Sequence, residues 1–142
     1  MSGFATERRI RFSDCDPAGI VFYPQYFVMF NGVVEDWFDG PLAIGYRELV
    51  IDRRIGLPTV RLEADFKAVS RLGDVVVLSL DIERLGRRSF TLSLSCAAAG
   101  SGELRMQMKQ VIVTTSLESH QAIDIPADLR AAIERRAAKG SS

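Results

Sequence analysis

Asp14-Cys15-Asp16-Pro17-Ala18-Gly19-Ile20-Val21-Phe22-Tyr23-Pro24-Gln25-Tyr26 is the stretch that organises this chain. It divides into a turn, a short apolar run and a helix start. Asp16-Pro17-Ala18-Gly19 has turn chemistry: an acid before a proline, then a glycine able to take a positive φ. Pro24 suits the first position of a helix, where its missing N–H would be unpaired in any case. Tyr26, Phe27, Phe30, Val33, Val34, Trp37 and Phe38 then recur at three- and four-residue steps, the period of a buried helical face. This helix, over 24–39, carries five of the chain's twelve aromatic residues and is read as the central core element. Its N-terminus lies beside a loop holding two carboxylates, and oriented N–H donors next to a carboxylate can serve acyl-transfer chemistry.

Working outward, residues 7–12 form a short alternation that is read as a first strand. Gly32 interrupts the helix at a cost of up to about 1 kcal/mol relative to alanine, which points to close approach of the helix to another backbone. Gly40-Pro41 stops the helix, and residues 46–52 are read as a short second one. From Thr59 the period changes to two. Val60, Leu62, Ala64 and Phe66 alternate with charged residues, as in a half-buried strand. Val75–Glu83, Phe90–Cys96 and Leu104–Val113 follow as further strands, separated by Leu72-Gly73-Asp74, Leu85-Gly86-Arg87-Arg88 and Ala99–Glu103. A C-terminal helix is expected over about 126–138, ending in basic residues that suit its dipole, before a polar tail. Short turns make the strands antiparallel neighbours. One long helix cannot cover both faces of such a sheet, so self-association is expected.

Bulk properties bound the function. A chain of 142 residues supports one domain with a full core. With 47% apolar and 25% charged residues the composition is that of a globular domain. Lys+Arg and Asp+Glu both total 18, so the zero net charge argues against a general nucleic-acid binder. No apolar run approaches the roughly 18–20 residues needed to span a membrane, and Met1–Arg11 has no secretory pattern; a cytoplasmic location is expected. Cys15 and Cys96 are then read as free thiols. His120 is the one histidine and lies in a polar stretch. That excludes any metal site needing two histidines and leaves a Ser-His-Asp or Cys-His arrangement without support.

Strand, the Asp14–Tyr26 motif, long helix and strand meander together resemble the hotdog-fold acyl-CoA thioesterases, most closely the 4-hydroxybenzoyl-CoA thioesterase branch. The likeness covers about residues 7–130 of a single domain, 1–142. It implies an α+β hotdog fold, an antiparallel sheet of about five strands wrapped around the central helix. It further implies a homodimer, or a homotetramer made as a dimer of dimers, with active sites at the dimer interface. The family's catalytic carboxylate matches Asp16, and the main-chain N–H expected to polarise the thioester carbonyl matches Tyr23. The family's contacts to the CoA nucleotide fall on Arg87, Arg88 and Ser89, with Arg71 a weaker candidate. Tyr26 and Asn31 are the acyl-pocket candidates. No metal and no separate cofactor is implied, since CoA is part of the substrate.

On the residues alone Asp16 reads as a turn or capping residue, and Arg87-Arg88 as a solvated hairpin tip. The chemistry nevertheless fits. A carboxylate can attack a thioester directly or activate water, a helix N-terminus supplies oxyanion donors, and an arginine fork matches phosphate oxygens. Asp14 is the competing carboxylate, with turn stabilisation as its expected role. Two positions depart from the branch pattern. Asn31 stands where the branch has an acid, and Gly86 stands where it has a basic residue. The expected activity is hydrolysis of an aromatic acyl-CoA such as 4-hydroxybenzoyl-CoA. The alternatives are a short-chain acyl-CoA thioesterase and a non-catalytic acyl-CoA or acyl-carrier binding module. A hotdog dehydratase would need a histidine base near the helix, where this chain has none.

Overall fold

The computed structural model describes residues 3–140, with side chains described through Ala137. The end of the polar tail, residues 141–142, lies outside the described residues. In chain order the strands are β1 (Phe4–Arg9), β2 (Ile55–Gly56), β3 (Thr59–Phe66), β4 (Val75–Leu85), β5 (Ser89–Ala98), β6 (Leu104–Val113) and β7 (Thr115–Ser116). The helices are α1 (Pro24–Asp39) and α2 (Ala127–Gly140). Five strands form one antiparallel sheet in the order β1-β4-β5-β6-β3, and β2 pairs with β7 as a separate two-stranded ladder. The expected second helix over 46–52 is a π-helical turn across Glu48–Asp52.

Helix α1 lies on the inner face of this sheet because its apolar stripe has the helical period. Tyr26, Met29, Phe30, Val33, Val34, Trp37 and Phe38 are all buried. They meet Val76, Leu78 and Leu80 of β4, Phe90, Leu92, Leu94 and Cys96 of β5, and Met106, Met108 and Ile112 of β6 within one core cluster. Each of the large side chains so buried contributes roughly 1.5–3 kcal/mol relative to exposure. Helix α2 adds Leu129, Ala132 and Ile133 to the same cluster.

Three expectations are corrected. The first strand runs over Phe4–Arg9 rather than 7–12. After Arg9 the chain leaves the ladder: Ile10 is fully buried, and Phe12–Asp14 is a 3₁₀ turn closed by the Asp14 carboxylate on the Arg11 N–H at 2.8 Å. The inward residues of β1 include Thr6 and Arg8, so its apolar alternation is weak. Strand β3 is not half-buried within the chain. It is an edge strand, and Val60, Leu62 and Phe66 are 60%, 39% and 49% exposed. Gly32 makes no close approach among the described residues, since a Cβ built on it meets nothing within 4 Å.

Candidate active site

The Asp16 turn is built as its residue types dictate. Gly19 N–H donates to Asp16 O at 2.9 Å, and Gly19 takes φ +76°, a conformation that other residues reach only with strain. The Asp16 N–H donates to Ile20 O at 3.0 Å, and Cys15 bridges to Val21, so the two sides of the turn run antiparallel. Asp16 Oδ1 accepts the Ala18 N–H at 2.9 Å; its other oxygen accepts no hydrogen bond among the described residues. Asp14 is committed differently. It is 4% exposed, Oδ1 accepts from Arg8 Nη2 at 2.8 Å and Oδ2 accepts from the Arg11 N–H at 2.8 Å. Of the two carboxylates, only Asp16 keeps a free oxygen.

Val21 and Phe22 carry the chain directly into α1. Tyr23 is the N-cap and Pro24, which has no N–H, follows it. The Gln25 N–H donates to Phe22 O at 2.8 Å and the Tyr26 N–H to Tyr23 O at 3.1 Å. The Tyr23 N–H therefore stands alone, with no acceptor among the described residues, at the positive end of a 16-residue helix. A carboxylate with a free oxygen can act as nucleophile or base, and an unpaired N–H at a helix N-terminus can take a developing oxyanion. Cys15 lies between the carboxylates but is no competing nucleophile. Burial first, then the charges of Asp14 and Asp16, push its thiol pKa up and keep it protonated.

Aromatic rings crowd this end of the helix. Phe66, the last inward residue of β3, has its ring centroid 5.9 Å from Tyr23, 6.1 Å from Tyr26 and 6.5 Å from Phe27. Phe22 and Tyr23 are 49% and 58% exposed. Phe66 was not singled out from the sequence. The signal was its place at the end of the Val60-Leu62-Ala64-Phe66 alternation, which carries it to the start of α1. Tyr26 is buried, and its hydroxyl donates to Ser70 Oγ at 2.9 Å. Its expected place in an acyl pocket thus reduces to its ring.

The other expected site residues lie elsewhere in the chain. Asn31 is eight residues beyond Tyr23, about 12 Å along the helix axis. It lines a cavity of about 350 Å3 together with Glu35, Tyr46, Thr59 and Gln110. Arg87, Arg88 and Ser89 form the β4–β5 hairpin tip, closed by the Gly86 N–H on Ser89 O at 2.7 Å. Both arginines are exposed, and each Nε lies 3.0 Å from Asp124 Oδ1. The tip is also tied to the C-terminal segment through the Ile125 N–H on Arg87 O at 3.0 Å and through Arg130, which donates to Gly86 O. Asp74, beside the Asp16 turn, precedes the first residue of β4, and the arginines follow its last. With 11 residues in β4 the two groups stand at opposite ends of the sheet, about 33 Å apart along that strand. Arg71 is bridged to Ile20 and stays at the Asp16 end.

The model of one family, described as the Thioesterase-like superfamily, matches residues 10–133. The chain belongs to the Thioesterase-like superfamily. This thioesterase is 32% identical over 129 residues to the 4-hydroxybenzoyl-CoA thioesterase of Pseudomonas sp. (strain CBS-3), covering 86% of this chain and 91% of that protein. The solved structure of a 4-hydroxybenzoyl CoA thioesterase from the same strain matches with a TM-score of 0.83 at 29% identity, over 93% of this chain and 99% of that one. A 1,4-dihydroxy-2-naphthoyl-CoA thioesterase from Synechocystis matches in fold, with a TM-score of 0.84 at 24% identity over 92% of this chain and 94% of that one. The hotdog fold expected from the motif is the fold found. No group of three or more His, Cys, Asp or Glu among the described residues could hold a metal ion, and no helix among them is long and apolar enough to cross a membrane.

Proposed function

We propose that this thioesterase hydrolyses an aromatic acyl-CoA to the free acid and CoA, with 4-hydroxybenzoyl-CoA a candidate substrate. The observation that carries the proposal is the unpaired Tyr23 N–H at the start of α1, beside a turn whose Asp16 carboxylate keeps one free oxygen. The Tyr23 N–H takes the developing oxyanion. Asp16 either attacks the carbonyl carbon or removes a proton from water that does so. The C–S bond breaks, the CoA thiolate takes up a proton, and water supplies the hydroxyl of the acid. The aromatic preference draws on the exposed rings of Phe22, Tyr23 and Phe66 and on relatives named for hydroxylated aromatic acyl groups. Asn31 provides a neutral hydrogen-bonding group for a ring substituent.

The working unit in this reading is a homodimer or a dimer of dimers. One chain supplies Asp16 and Tyr23, and a second supplies Arg87, Arg88 and Ser89 to the CoA phosphates. The placement of these residues at opposite ends of one sheet supports a site shared between two chains. The test is thiol release from benzoyl-, 4-hydroxybenzoyl-, phenylacetyl- and butyryl-CoA, with Asp16→Asn beside the wild type. Turnover of the aryl esters, reduced at least about 100-fold in the variant, is the expected result. A preference for butyryl-CoA sinks the aryl reading, and binding without turnover in the wild type replaces it with a carrier or binding module.

A further inference from the structure

We propose that Arg105 is a positioning residue that sets the geometry between the Asp16 carboxylate and the Tyr23 N–H; this rests on the reading of those two groups as the reacting pair. Arg105 lies at an irregularity in β6. Cys96 of β5 faces Met106 and Ala97 faces Leu104, so Arg105 has no partner on β5. On the other side, the N–H groups of Lys67 and Ala68 both donate to Arg105 O, at 2.9 and 3.1 Å. A bulge of this kind re-aims a side chain that strand alternation would send outward. The Arg105 side chain is 12% exposed. Its Nη1 meets Val69 O at 2.9 Å, Asp74 Oδ2 at 2.9 Å and Ser70 Oγ at 3.3 Å. Glu103 Oε1 lies 2.8 Å from its Nε, out of line for a hydrogen bond.

One nitrogen therefore fixes three points of the 69–74 segment, and that segment is the backing of the candidate site. The Val21 N–H donates to Ser70 O, the Leu72 N–H donates to Gly19 O, both at 2.9 Å, and Ile20 bridges to Arg71. The outgoing arm of the Asp16 turn, Gly19–Val21, is held along this segment. The same Ser70 hydroxyl accepts from Tyr26, three residues into α1 from Tyr23. Ser70 is fully buried, so solvent cannot substitute for these bonds. Turn and helix start are successive pieces of the chain, joined by the Phe22 N–H on Asp14 O at 3.0 Å, and the Arg105–Ser70 contact is a second place where both are referred to one charged group. A misplacement of about 1 Å between reacting groups can cost about 100-fold in rate, although Arg105 touches no substrate.

The test compares Arg105→Met, which keeps the stem and removes every donor, with Arg105→Lys, whose ammonium offers three protons to the same three acceptors. For folded Arg105→Met the expected kcat is about 10–100-fold below wild type with KM within about threefold, because the contacts to CoA are untouched. Arg105→Lys is expected within about fivefold of wild type. Amide hydrogen exchange at Val21 and Leu72 should speed up in Arg105→Met and return towards wild type in Arg105→Lys. That readout holds whatever the substrate. A folded Arg105→Met with wild-type kcat and unchanged exchange at those two amides overturns the proposal, as does a loss confined to KM. If Arg105→Met does not fold, Ser70→Ala carries the same comparison, since it removes the shared acceptor without a buried charge change. Asp16→Asn run alongside separates the two ideas: full activity there sinks the reading of the site, whereas loss there with none in the Arg105 variants sinks only the role of Arg105.

Discussion

Asp14 and Asp16 stand two residues apart and differ in what occupies their oxygens. Both oxygens of Asp14 are used, by the Arg8 guanidinium and the Arg11 N–H, and its side chain is almost fully covered. Asp16 spends one oxygen on the Ala18 N–H and keeps the other. An oxygen already held by donors is a poor nucleophile and a poor base, so occupancy separates two carboxylates that sequence spacing leaves as rivals. The same reasoning applies at the hairpin tip. Asp124 is exposed, and its carboxylate pKa is pulled down by hydrogen bonds first from Arg88 and then from Arg87. It therefore stays ionised, and under the proposed function it occupies the position that an incoming phosphate oxygen would take on the arginine pair. Removing that charge frees the pair. Asp124→Asn is expected to lower KM for a CoA thioester about two- to fivefold at low ionic strength, with little change for the matching pantetheine thioester, which lacks the nucleotide. Equal shifts for both substrates would take the phosphate contact away from this tip.

At the scale of elements, the segment between β3 and β4 matters more than its sequence announces. Asp74 ends it, and its carboxyl pKa lies below the ordinary carboxylate value. The Arg71 N–H is the first cause and the Arg105 guanidinium the second. A carboxylate whose folded pKa is depressed adds stability above its unfolded pKa, near 4. That stability is lost as pH falls through the lower folded value. Urea midpoints measured from pH 6 down to pH 2.5 should therefore fall more steeply below about pH 4 in wild type than in Asp74→Asn; parallel curves would show that Asp74 does not contribute. The elements themselves were legible because each rests on a local rule. The α1 bounds come from Pro24 and Gly40-Pro41, the turn from Asp16 to Gly19, and the meander from period-two alternation broken by glycine. Strand β1 was misplaced because inward Thr6 and Arg8 give no apolar period. The Arg105 bulge was not legible at all. It is a register shift against β5, and no local pattern in Leu104–Val113 encodes it. In the site, the turn and the helix start are contiguous in sequence and could be read together, whereas Phe66, Ser70 and Arg105 arrive there only through tertiary packing.

The single chain leaves its inner sheet face unfinished. Among the described residues strand β3 pairs only with β6, so its other edge presents unpaired backbone groups. Val60, Leu62 and Phe66 are exposed beside it, and on α1 Val28 is 60% exposed and Gly32 faces open space. A second copy would cover these apolar residues and give Gly32 the close backbone approach that a glycine inside a helix implies. In a two-fold pair, whatever one chain lends to its partner's site it receives in return. Complementation follows directly. Asp16→Asn disables the turn, an Arg87→Ala/Arg88→Ala double variant disables the tip, and each homodimer then carries two defective sites. In a heterodimer formed after subunit exchange, one site collects both lesions and the other collects none. Random exchange of equal amounts makes half the dimers mixed, each with one intact site of two, so about a quarter of wild-type activity should return. Assaying well below KM makes the loss of phosphate contacts visible in the Arg87→Ala/Arg88→Ala parent. Activity that stays at the sum of the two parents after exchange has been verified by mass would place turn and tip in sites that do not join across chains.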